Sequence, residues 1–396
     1  MKLQNLVLKM ACCISVLFYS INISYALQYT AVDLIEKMGW NYEQNKGYFP
    51  AAINDRNMVV FTGPDGKYHR ATYDQSSGEL KNSKSLSCLH IYDINNHGVA
   101  TGEIGHNTDR EAFIWNPDDS ENPIKYLGII NNSGYRRSVG YHINDNGTVV
   151  GMSTYKAWIY SYSGAFIYEN GSMELLPSIR GTKNYSAQSI NNKGDAVGSM
   201  NSLKPILWTK NSDSPIYLKK VLSDGMTYLS NTFAKDINDN RKIIGIGTIG
   251  STTYGCVWEN YSSNPTLLNA FGTESTIVDA LNNSGVIVGH AKNTKGKYTA
   301  FVSIPGEGTF DLNEISDIDS SLWLYNVFDI NNLGWIVASA RRYSNNTVHP
   351  ILLIPDTPTS PVPEPPTALL LILGFLAFLS FKVINFAVST ELHTRE

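Results

Sequence analysis

A short pattern recurs seven times along the chain, and this repeat constrains the fold more than any other feature of the sequence. The clearest copy is INDNGTVVG at 143–151. The other six copies begin at Ile53, Ile94, Ile190, Ile237, Leu281 and Ile330. Successive copies begin 41, 49, 47, 47, 44 and 49 residues apart. A period in this range indicates one supersecondary unit that is repeated and stacked.

Each repeat unit contains about four short apolar runs. After the IN and VVG runs comes an element such as EAFIWN at 111–116 or GCVWEN at 255–260, and then a run such as IKYLG at 124–128. Four strands in each of seven units predict an all-β, seven-bladed β-propeller over residues 27–355. Three tryptophans occupy the same position of their units and are predicted to lie in the blade core: Trp115, Trp208 and Trp258.

The two ends of the repeat region complement each other. The last unit lacks its fourth strand, because HPILLIPD at 349–356 leads directly into a Pro-rich stretch. The segment LQYTAVDLI at 27–35 has strand-like alternation and precedes the first complete unit. We therefore predict that Tyr29 to Leu34 pairs with 349–354, which closes the ring and protects an edge strand.

The asparagine of each IN pair is predicted to begin a type I turn. Asn at the first position and Gly at the fourth are the preferences of such turns. The seven turn residues are Asn54, Asn95, Asn144, Asn191, Asn238, Asn282 and Asn331. Asn57 and Arg241 occupy the Gly position in two copies, and Arg241 is expected to strain the turn or change its type. DINDN at 236–240 also resembles a hard-cation loop, so calcium remains an alternative to a cofactor-free turn.

The N-terminus is predicted to be a signal peptide. Lys2 and Lys9 precede an apolar segment, and the small residues of SYA lead to a cleavage site after Ala26. The mature protein then begins at residue 27. Cys88 and Cys256 remain; they could pair after export, although small buried thiols are the favoured interpretation.

The repeat units resemble the HAF repeats of bacterial extracellular proteins, through the elements IN-x-x-G-x-x-V-G and AF-x-W. The resemblance covers about residues 27–355 and implies an exported β protein, without implying a known reaction. The net charge of −4 gives no basic surplus, so nucleic-acid binding is not expected.

The C-terminal region is similar to the PEP-CTERM sorting signal of Gram-negative bacteria. The matching box is Val362, Pro363, Glu364 and Pro365. A Pro-rich linker is predicted at 356–367, a transmembrane or sorting helix at 368–388 and a tail at 389–396. The 21 residues of that helix contain one Lys and would span a bilayer. These features predict a chain that is anchored in the envelope or displayed outside the cell, and a sorting enzyme is a possible partner.

No linear catalytic motif is present in the sequence. Glu111, Asp236 and Asp279 are candidates to line a channel face, without an assigned role. Arg136, Arg137, Arg341 and Arg342 are predicted to be solvated loop charges. The histidines lack metal-ligand spacing and are predicted to lie in turns or on the surface: His69, His90, His97, His106, His142, His290 and His349.

Two functions follow as hypotheses. The favoured one is a binding or structural module that presents a propeller face to a polysaccharide or protein. The alternative is a secreted propeller enzyme, a hydrolase or lyase acting on glycans, since a fold supports many functions.

The anchor is tested by fractionating cells that express the full chain or a truncation after Pro366. We expect the full chain in the membrane fraction and the truncated chain in the soluble or released fraction, because an apolar segment of this length partitions into the bilayer. Equal release of both chains would contradict the anchor.

Overall fold

The computed structural model describes residues 27–42, 48–106, 109–130, 137–157, 160–179, 184–201, 203–210, 212–272 and 275–356. Twenty-eight strands form seven antiparallel sheets of four strands each. Within six of these sheets the strands are neighbours in chain order. The predicted seven-bladed β-propeller is confirmed.

The blades are numbered in the order of their repeat turns. Blade 1 consists of β2 (Pro50–Ile53), β3 (Met58–Thr62), β4 (Tyr68–Asp74) and β5 (Glu79–Leu86). Blade 2 consists of β6 (His90–Ile94), β7 (Ala100–His106), β8 (Asp109–Trp115) and β9 (Ile124–Gly128). Blade 3 consists of β10 (Ser138–Ile143), β11 (Val149–Ala157), β12 (Tyr160–Glu169) and β13 (Ser172–Leu175). Blade 4 consists of β14 (Tyr185–Ile190), β15 (Ala196–Met200), β16 (Lys204–Trp208) and β17 (Ile216–Tyr217).

The remaining three blades follow the same pattern. Blade 5 consists of β18 (Ser230–Ile237), β19 (Ile243–Ile249), β20 (Thr252–Trp258) and β21 (Thr266–Leu268). Blade 6 consists of β22 (Thr276–Leu281), β23 (Ile287–Lys292), β24 (Tyr298–Ile304) and β25 (Gly308–Asp311). Blade 7 consists of β26 (Leu322–Ile330), β27 (Ile336–Arg342), β28 (Val348–Pro355) and β1 (Tyr29–Asp33).

The N-terminal strand β1 closes the ring, as predicted. It pairs antiparallel with β28, and the register runs from Tyr29 opposite Pro355 to Asp33 opposite Ile351. The strand ends one residue earlier than expected, since Leu34 begins the short helix α1 (Leu34–Lys37). Asp33 is the N-cap of α1, and its side chain accepts hydrogen bonds from the backbone amides of Ile35 and Glu36.

The hydrophobic core is divided among the blade interfaces. The described residues form seven buried clusters, and each cluster joins two neighbouring blades. The cluster between blades 7 and 1 includes Val32, Leu34 and Ile35, so the N-terminal segment contributes to that interface. Trp115, Trp208 and Trp258 are at most 3% exposed, which confirms their predicted place in the blade core.

The glycine that ends the VVG run is required by a close approach of two strands. A Cβ atom added to Gly151 would lie 1.9 Å from the backbone oxygen of Val139 on the paired strand. The register of β10 and β11 shifts beside this point, between Gly140 and His142, as at a β-bulge. Glycine is typical of strand positions where another backbone comes this close.

All seven repeat turns have the predicted geometry, including the two without glycine. In each, the fourth residue donates its N–H to the carbonyl of the turn Asn. The fourth residue has positive φ in every copy, with values of 58° at Asn57 and 64° at Arg241. Of the two expectations for Arg241, the structure shows the strained turn with left-handed backbone, and the turn type does not change.

An ion pair accounts for Arg241. Its Nε lies 2.7 Å from Oδ2 of Asp195, a carboxylate whose side chain is 2% exposed and belongs to the preceding blade. A non-glycine residue with left-handed backbone costs about 1–2 kcal/mol. We infer that the charge pairing offsets this backbone cost.

The thiols are not paired in this structure. Cys256 is buried and Cys88 is half-buried, and burial raises the pKa of each thiol to about 12. In the described part of the chain no helix is long and apolar enough to cross a membrane. The predicted helix at 368–388 lies outside the described residues.

A double-mutant cycle tests the ion pair. R241G should lower the free energy of unfolding by roughly 1–2 kcal/mol, because a buried carboxylate loses its charged partner. In the background of Asp195→Asn, the same R241G change should raise the free energy of unfolding by about 1 kcal/mol. The ion pair is then already absent, and glycine adopts the left-handed backbone without strain.

Urea unfolding of the parent protein, the two single variants and the double variant gives the four free energies of unfolding. Asn57→Gly is the matched control, since Asn57 has the same backbone angle but no charge pair; it should change the free energy of unfolding by less than about 0.5 kcal/mol. A destabilising R241G in both backgrounds would disprove the compensation.

Candidate functional site: the axial rings and the rim pocket

The seven turn asparagines are buried structural residues. All are 3–5% exposed. In each, the side-chain oxygen accepts hydrogen bonds from the backbone amides two and four residues later, as in Asn144 with Asn146 and Thr148. Because two donors meet this oxygen, the amide can have only one orientation. The side-chain nitrogen must then face the neighbouring blade.

The asparagine nitrogens join the blades into a closed ring. Each Nδ2 donates to the backbone oxygen of the turn asparagine in the next blade, at 2.8–3.2 Å. The last of these bonds runs from Asn331 in blade 7 to Asn54 in blade 1, at 2.9 Å. We call these seven residues the Asn ring.

A second ring is formed by the residues that follow the turn asparagines. Its members are Asp55, Asn96, Asp145, Asn192, Asp239, Asn283 and Asn332. Each backbone N–H donates to the side-chain oxygen of the next member at 2.7–2.9 Å. Each second carboxylate oxygen accepts from the two flanking amides, as Asp145 does from Asn96 and Asn192. We call this the Asp/Asn ring.

A third layer contains the acids that precede the IN pairs of blades 2, 5 and 7. Asp93, Asp236 and Asp329 each accept a backbone N–H from the next blade, at 2.8–2.9 Å. Burial raises the pKa of Asp93. Burial, reinforced by the charge of Asp93, raises the pKa of Asp329 well above its ordinary value. We call this the carboxylate layer; the half-buried Asp329 faces the narrow axial cavity rather than open solvent.

The axial cavity at these rings is small. It has a volume of about 140 Å³ and is lined by residues from all seven blades, whereas ligand pockets usually measure roughly 300–1,000 Å³. In the loop that resembles a calcium site, both oxygens of Asp239 accept hydrogen bonds from neighbouring ring members. Asp236 also uses both oxygens. A cation would have to displace these protein donors.

A different group of potential metal ligands lies at the seam between the chain ends. Asp33, Glu36 and His349 bring ligand atoms within 4.8 Å of one another. Nδ1 of His349 lies 2.6 Å from Asp33. The other oxygen of Asp33 accepts from the Tyr42 hydroxyl and from two amides of α1. This hydrogen-bond network fits a structural seam better than an open metal site. His349 is fully buried, as is most of His69, so the prediction that these histidines lie at the surface is wrong.

The acidic candidates from the sequence do not converge. Asp236 belongs to the carboxylate layer. Glu111 accepts a backbone hydrogen bond from Gly128. Asp279 contacts Lys235 and His290; burial acts to raise its pKa, but these two partners hold the pKa below its ordinary value.

Another polar cluster was not anticipated. Glu103 is 1% exposed and is ion-paired with Arg110 and Arg137. The Tyr92 hydroxyl lies 3.3 Å from the same carboxylate. Arg137 is therefore an ion-pair partner rather than the predicted solvated loop charge.

A larger cavity, the rim pocket, lies between blades 6 and 7 and has a volume of about 400 Å³. Four aromatic side chains line it: Tyr298, Trp323, Tyr325 and Tyr343. Trp323 and Tyr325 lie near the start of strand β26, and Asn331 of the Asn ring follows its end, eight residues after Trp323 and roughly 25 Å along a strand. The rim pocket and the Asn ring therefore lie at opposite faces of the propeller.

Three basic side chains complete the rim pocket: Lys297, Arg341 and Arg342. Nζ of Lys297 lies 3.6 Å from the ring centroid of Trp323, and the Arg341 guanidinium lies 4.9 Å from that of Tyr325. Both distances suit cation–π contacts. Arg341 and Arg342 end strand β27 rather than lying in a loop, so that part of the prediction is wrong; Arg341 is exposed, as predicted, and Arg342 is half-buried.

The rim pocket was not recognised in the sequence. Three of its aromatic residues stand outside the repeated motifs, in LWLY at 322–325 and RRY at 341–343, and the fourth, Tyr298, directly precedes the repeated element TAFVSI at 299–304. The remaining predicted sites, Ala26 and the box Val362, Pro363, Glu364 and Pro365, lie outside the described residues.

Comparisons with known proteins show similarity of fold alone. No family model and no curated protein matches this chain. Among solved structures, Trypanosoma rangeli sialidase is 10% identical with a TM-score of 0.38; the match covers 82% of this chain and 59% of the sialidase. YCF48 bound to D1 peptide is 10% identical with a TM-score of 0.45, covering 82% of this chain and 96% of that one. TolB from Acinetobacter baumannii is 12% identical with a TM-score of 0.42, covering 74% and 77%.

The carboxylate layer predicts a specific pH dependence. A carboxyl with a raised pKa holds its proton in the folded state after the unfolded chain has lost it. Such a carboxyl makes its full contribution to stability below its pKa in the unfolded chain, near 3.8. This contribution is lost as the pH rises through its pKa in the folded protein. Asp329→Ala removes this loss, so the slope of unfolding free energy against pH should become more positive by up to ~1.4 kcal/mol per pH unit.

Urea titrations at several pH values above about 4 measure this slope. Asn331→Ala is the control, because it removes a ring residue without a titratable group; it should lower stability by a similar amount at each pH. If Asp329→Ala leaves the slope of the parent protein unchanged, the titration of Asp329 does not contribute.

Proposed function

We propose that this protein is an exported β-propeller of the bacterial cell envelope or extracellular matrix, and that it binds a polysaccharide at the rim pocket. The observation that carries the proposal is the grouping of four aromatic side chains around one cavity of ligand size. A binding module needs such a surface and needs no reacting groups beside it.

The exposure of these aromatic rings supports a sugar ligand. Tyr298 and Tyr343 are 42% and 59% exposed, so much of each ring face meets solvent. Tyr and Trp combine a flat apolar face with a polar edge. A sugar ring has the same two characters, apolar C–H faces and a polar hydroxyl rim. Stacking a sugar on these rings would cover apolar area and leave its hydroxyls in water.

The Trp323 side chain is held in place before any ligand arrives. Its Nε1 donates to the backbone oxygen of Tyr298 across the blade boundary, at 2.8 Å. Trp323 also sits opposite Arg341 in the register of β26 and β27. A pocket assembled by backbone contacts of two blades is pre-organised, which reduces the entropy lost on binding.

The ends of the chain supply the location in this proposal. A signal peptide at 1–26 would export the chain, and the segment 368–388 would anchor it or direct its sorting. The Pro-rich residues 356–367 would act as a stiff spacer between the propeller and the membrane. In this arrangement the propeller meets extracellular or periplasmic glycans.

Glycan cleavage by a hydrolase or lyase is the alternative. Such enzymes need groups that donate or accept protons beside the scissile bond. The described lining of the rim pocket contains three basic groups and no carboxylate. The Tyr92 and Glu103 cluster holds a carboxylate, but two arginines neutralise it. Product analysis of any bound glycan separates the two functions: binding without new ends supports the module.

Polysaccharide binding by the full chain is tested with single variants. Tyr343→Ala should weaken binding to whichever immobilised polysaccharide the protein retains by roughly tenfold, since stacked aromatic contacts contribute about 1–2 kcal/mol. Tyr228→Ala is the matched control: Tyr228 is also 59% exposed and also stacks with a lysine, but it lies in another blade.

The readout is a glycan array followed by affinity measurement on the strongest hit. Equal affinity of both variants and the parent protein would place the site elsewhere. Absence of any glycan binding by the parent protein, together with binding to a protein ligand, would replace the polysaccharide with that ligand.

A further inference from the structure

We infer that the rim pocket selects an acidic polysaccharide, with the sugar ring stacked on Tyr298 and Tyr343 and its carboxylate held by Arg341 and Lys297. This inference rests on the proposed function and adds the chemical class of the ligand. It comes from the charge of the pocket rather than from its aromatic rings.

Two cations in the rim pocket have no anionic partner. The Lys297 ammonium donates to the Tyr343 hydroxyl at 3.0 Å and lies over two aromatic rings. The Arg341 guanidinium lies over Tyr325. Among the described residues, no carboxylate forms an ion pair with either group. Cation–π contacts orient a charge but do not neutralise it, so the pocket keeps two positive charges.

Several arginines elsewhere in the propeller are ion-paired. Arg70 contacts Asp118, Arg137 contacts Glu103 and Arg241 contacts Asp195. Even Arg342, the neighbour of Arg341, bonds to Ser321 and lies 3.8 Å from Glu36. Lys204 and Lys220 also stack on a tyrosine without an ion pair to a described carboxylate. The rim pocket brings two such cations to one cavity, and this grouping favours an anionic ligand there.

The geometry of Arg341 suits a carboxylate. Its guanidinium is planar and presents a fork of N–H donors that matches the two oxygens of a carboxylate. Stacking on Tyr325 restricts the plane of the guanidinium, and the position at the end of β27 leaves the residue exposed. A uronic acid residue would place its carboxylate at the fork and its ring face on the neighbouring tyrosines.

A nucleic acid also combines negative charge with flat rings, but it fits the molecule less well. Proteins that bind single strands follow the backbone along an extended basic groove. Here the net charge is −4, and the rim pocket is a single cavity of about 400 Å³ rather than an extended groove. A cavity of this size can hold a sugar residue or two of a chain, which is shorter than the contact that a single strand makes along such a groove.

The experiment compares two polymers that differ at one group, which is a free carboxylate in one and its uncharged methyl ester in the other. Polygalacturonate is the acidic probe and its fully methyl-esterified form is the neutral probe, both titrated against the full chain. We expect the acidic polymer to bind at least roughly tenfold more tightly, the scale of a charge-assisted hydrogen bond. Added salt should reduce the preference, because screening weakens exposed charge contacts.

Charge variants assign the effect to the pocket. Arg341→Gln should remove most of the preference for the acidic polymer, so that the two polymers bind with similar affinity. Arg341→Lys should recover part of it, since the charge returns without the planar fork. Lys295→Gln is the control: it removes one positive charge from the same hairpin, two residues before Lys297, and Lys295 does not line the pocket. Thermal unfolding of each variant verifies that it is folded.

The outcomes distinguish the acidic class of the ligand from the polysaccharide site itself. Equal binding of both polymers by the parent protein, with loss of both in Tyr343→Ala, overturns the acidic ligand and keeps the polysaccharide site. Binding of neither polymer overturns the acidic ligand, and the glycan array then decides on the site. Equally tight binding of a single-stranded oligothymidylate would overturn the carbohydrate and favour a nucleic acid.

Discussion

The hydrogen bond from each turn asparagine to the next blade is the interaction on which the rest of the structure depends. A propeller blade cannot bury its own faces, so the fold needs a contact that holds each sheet against two others. In this protein each turn asparagine accepts hydrogen bonds from two amides of its own turn and donates one to the next blade, as Asn144 does. Because every donor is buried, losing a partner would leave an unsatisfied polar group, at about 1–3 kcal/mol each. The ring thus aligns the seven blades at one end of the axis.

In the Asp/Asn ring, every carboxylate lies between two amide side chains. Acids and amides alternate around the axis, so each carboxylate accepts from amides on both sides. A ring of seven members cannot alternate completely. The unavoidable pair of like neighbours is two amides, Asn283 and Asn332, rather than two carboxylates, which would repel each other. In the carboxylate layer, burial first and the neighbouring carboxylates second raise the pKa of Asp93 and Asp329.

The Asn ring and the rim pocket lie at opposite faces of the propeller. The face with the Asn ring is built from repeated residues whose polar atoms are already used within the protein. The rim pocket is built from residues that occur in only one place, at the boundary of blades 6 and 7, and two of its cations remain unpaired. A repeat supplies the scaffold economically, while a binding site needs residues that differ from the repeat. The proposed acidic polysaccharide site follows this division.

The sequence by itself determined the number of blades, the strands in each blade, the turn geometry and the closure by β1. These properties depend on local patterns: the spacing of apolar runs, the Asn and Gly preferences of a type I turn, and the missing strand of the last unit. It could not determine that Asn54 and Asn331 would meet, that Arg241 would find a buried carboxylate, or that His349 would be buried against Asp33. Only the tertiary structure decided these contacts, and only it joined Trp323, Tyr298 and Arg341 into one pocket. The physical reason is that these contacts arise from ring closure and blade packing, which bring together side chains far apart in the chain.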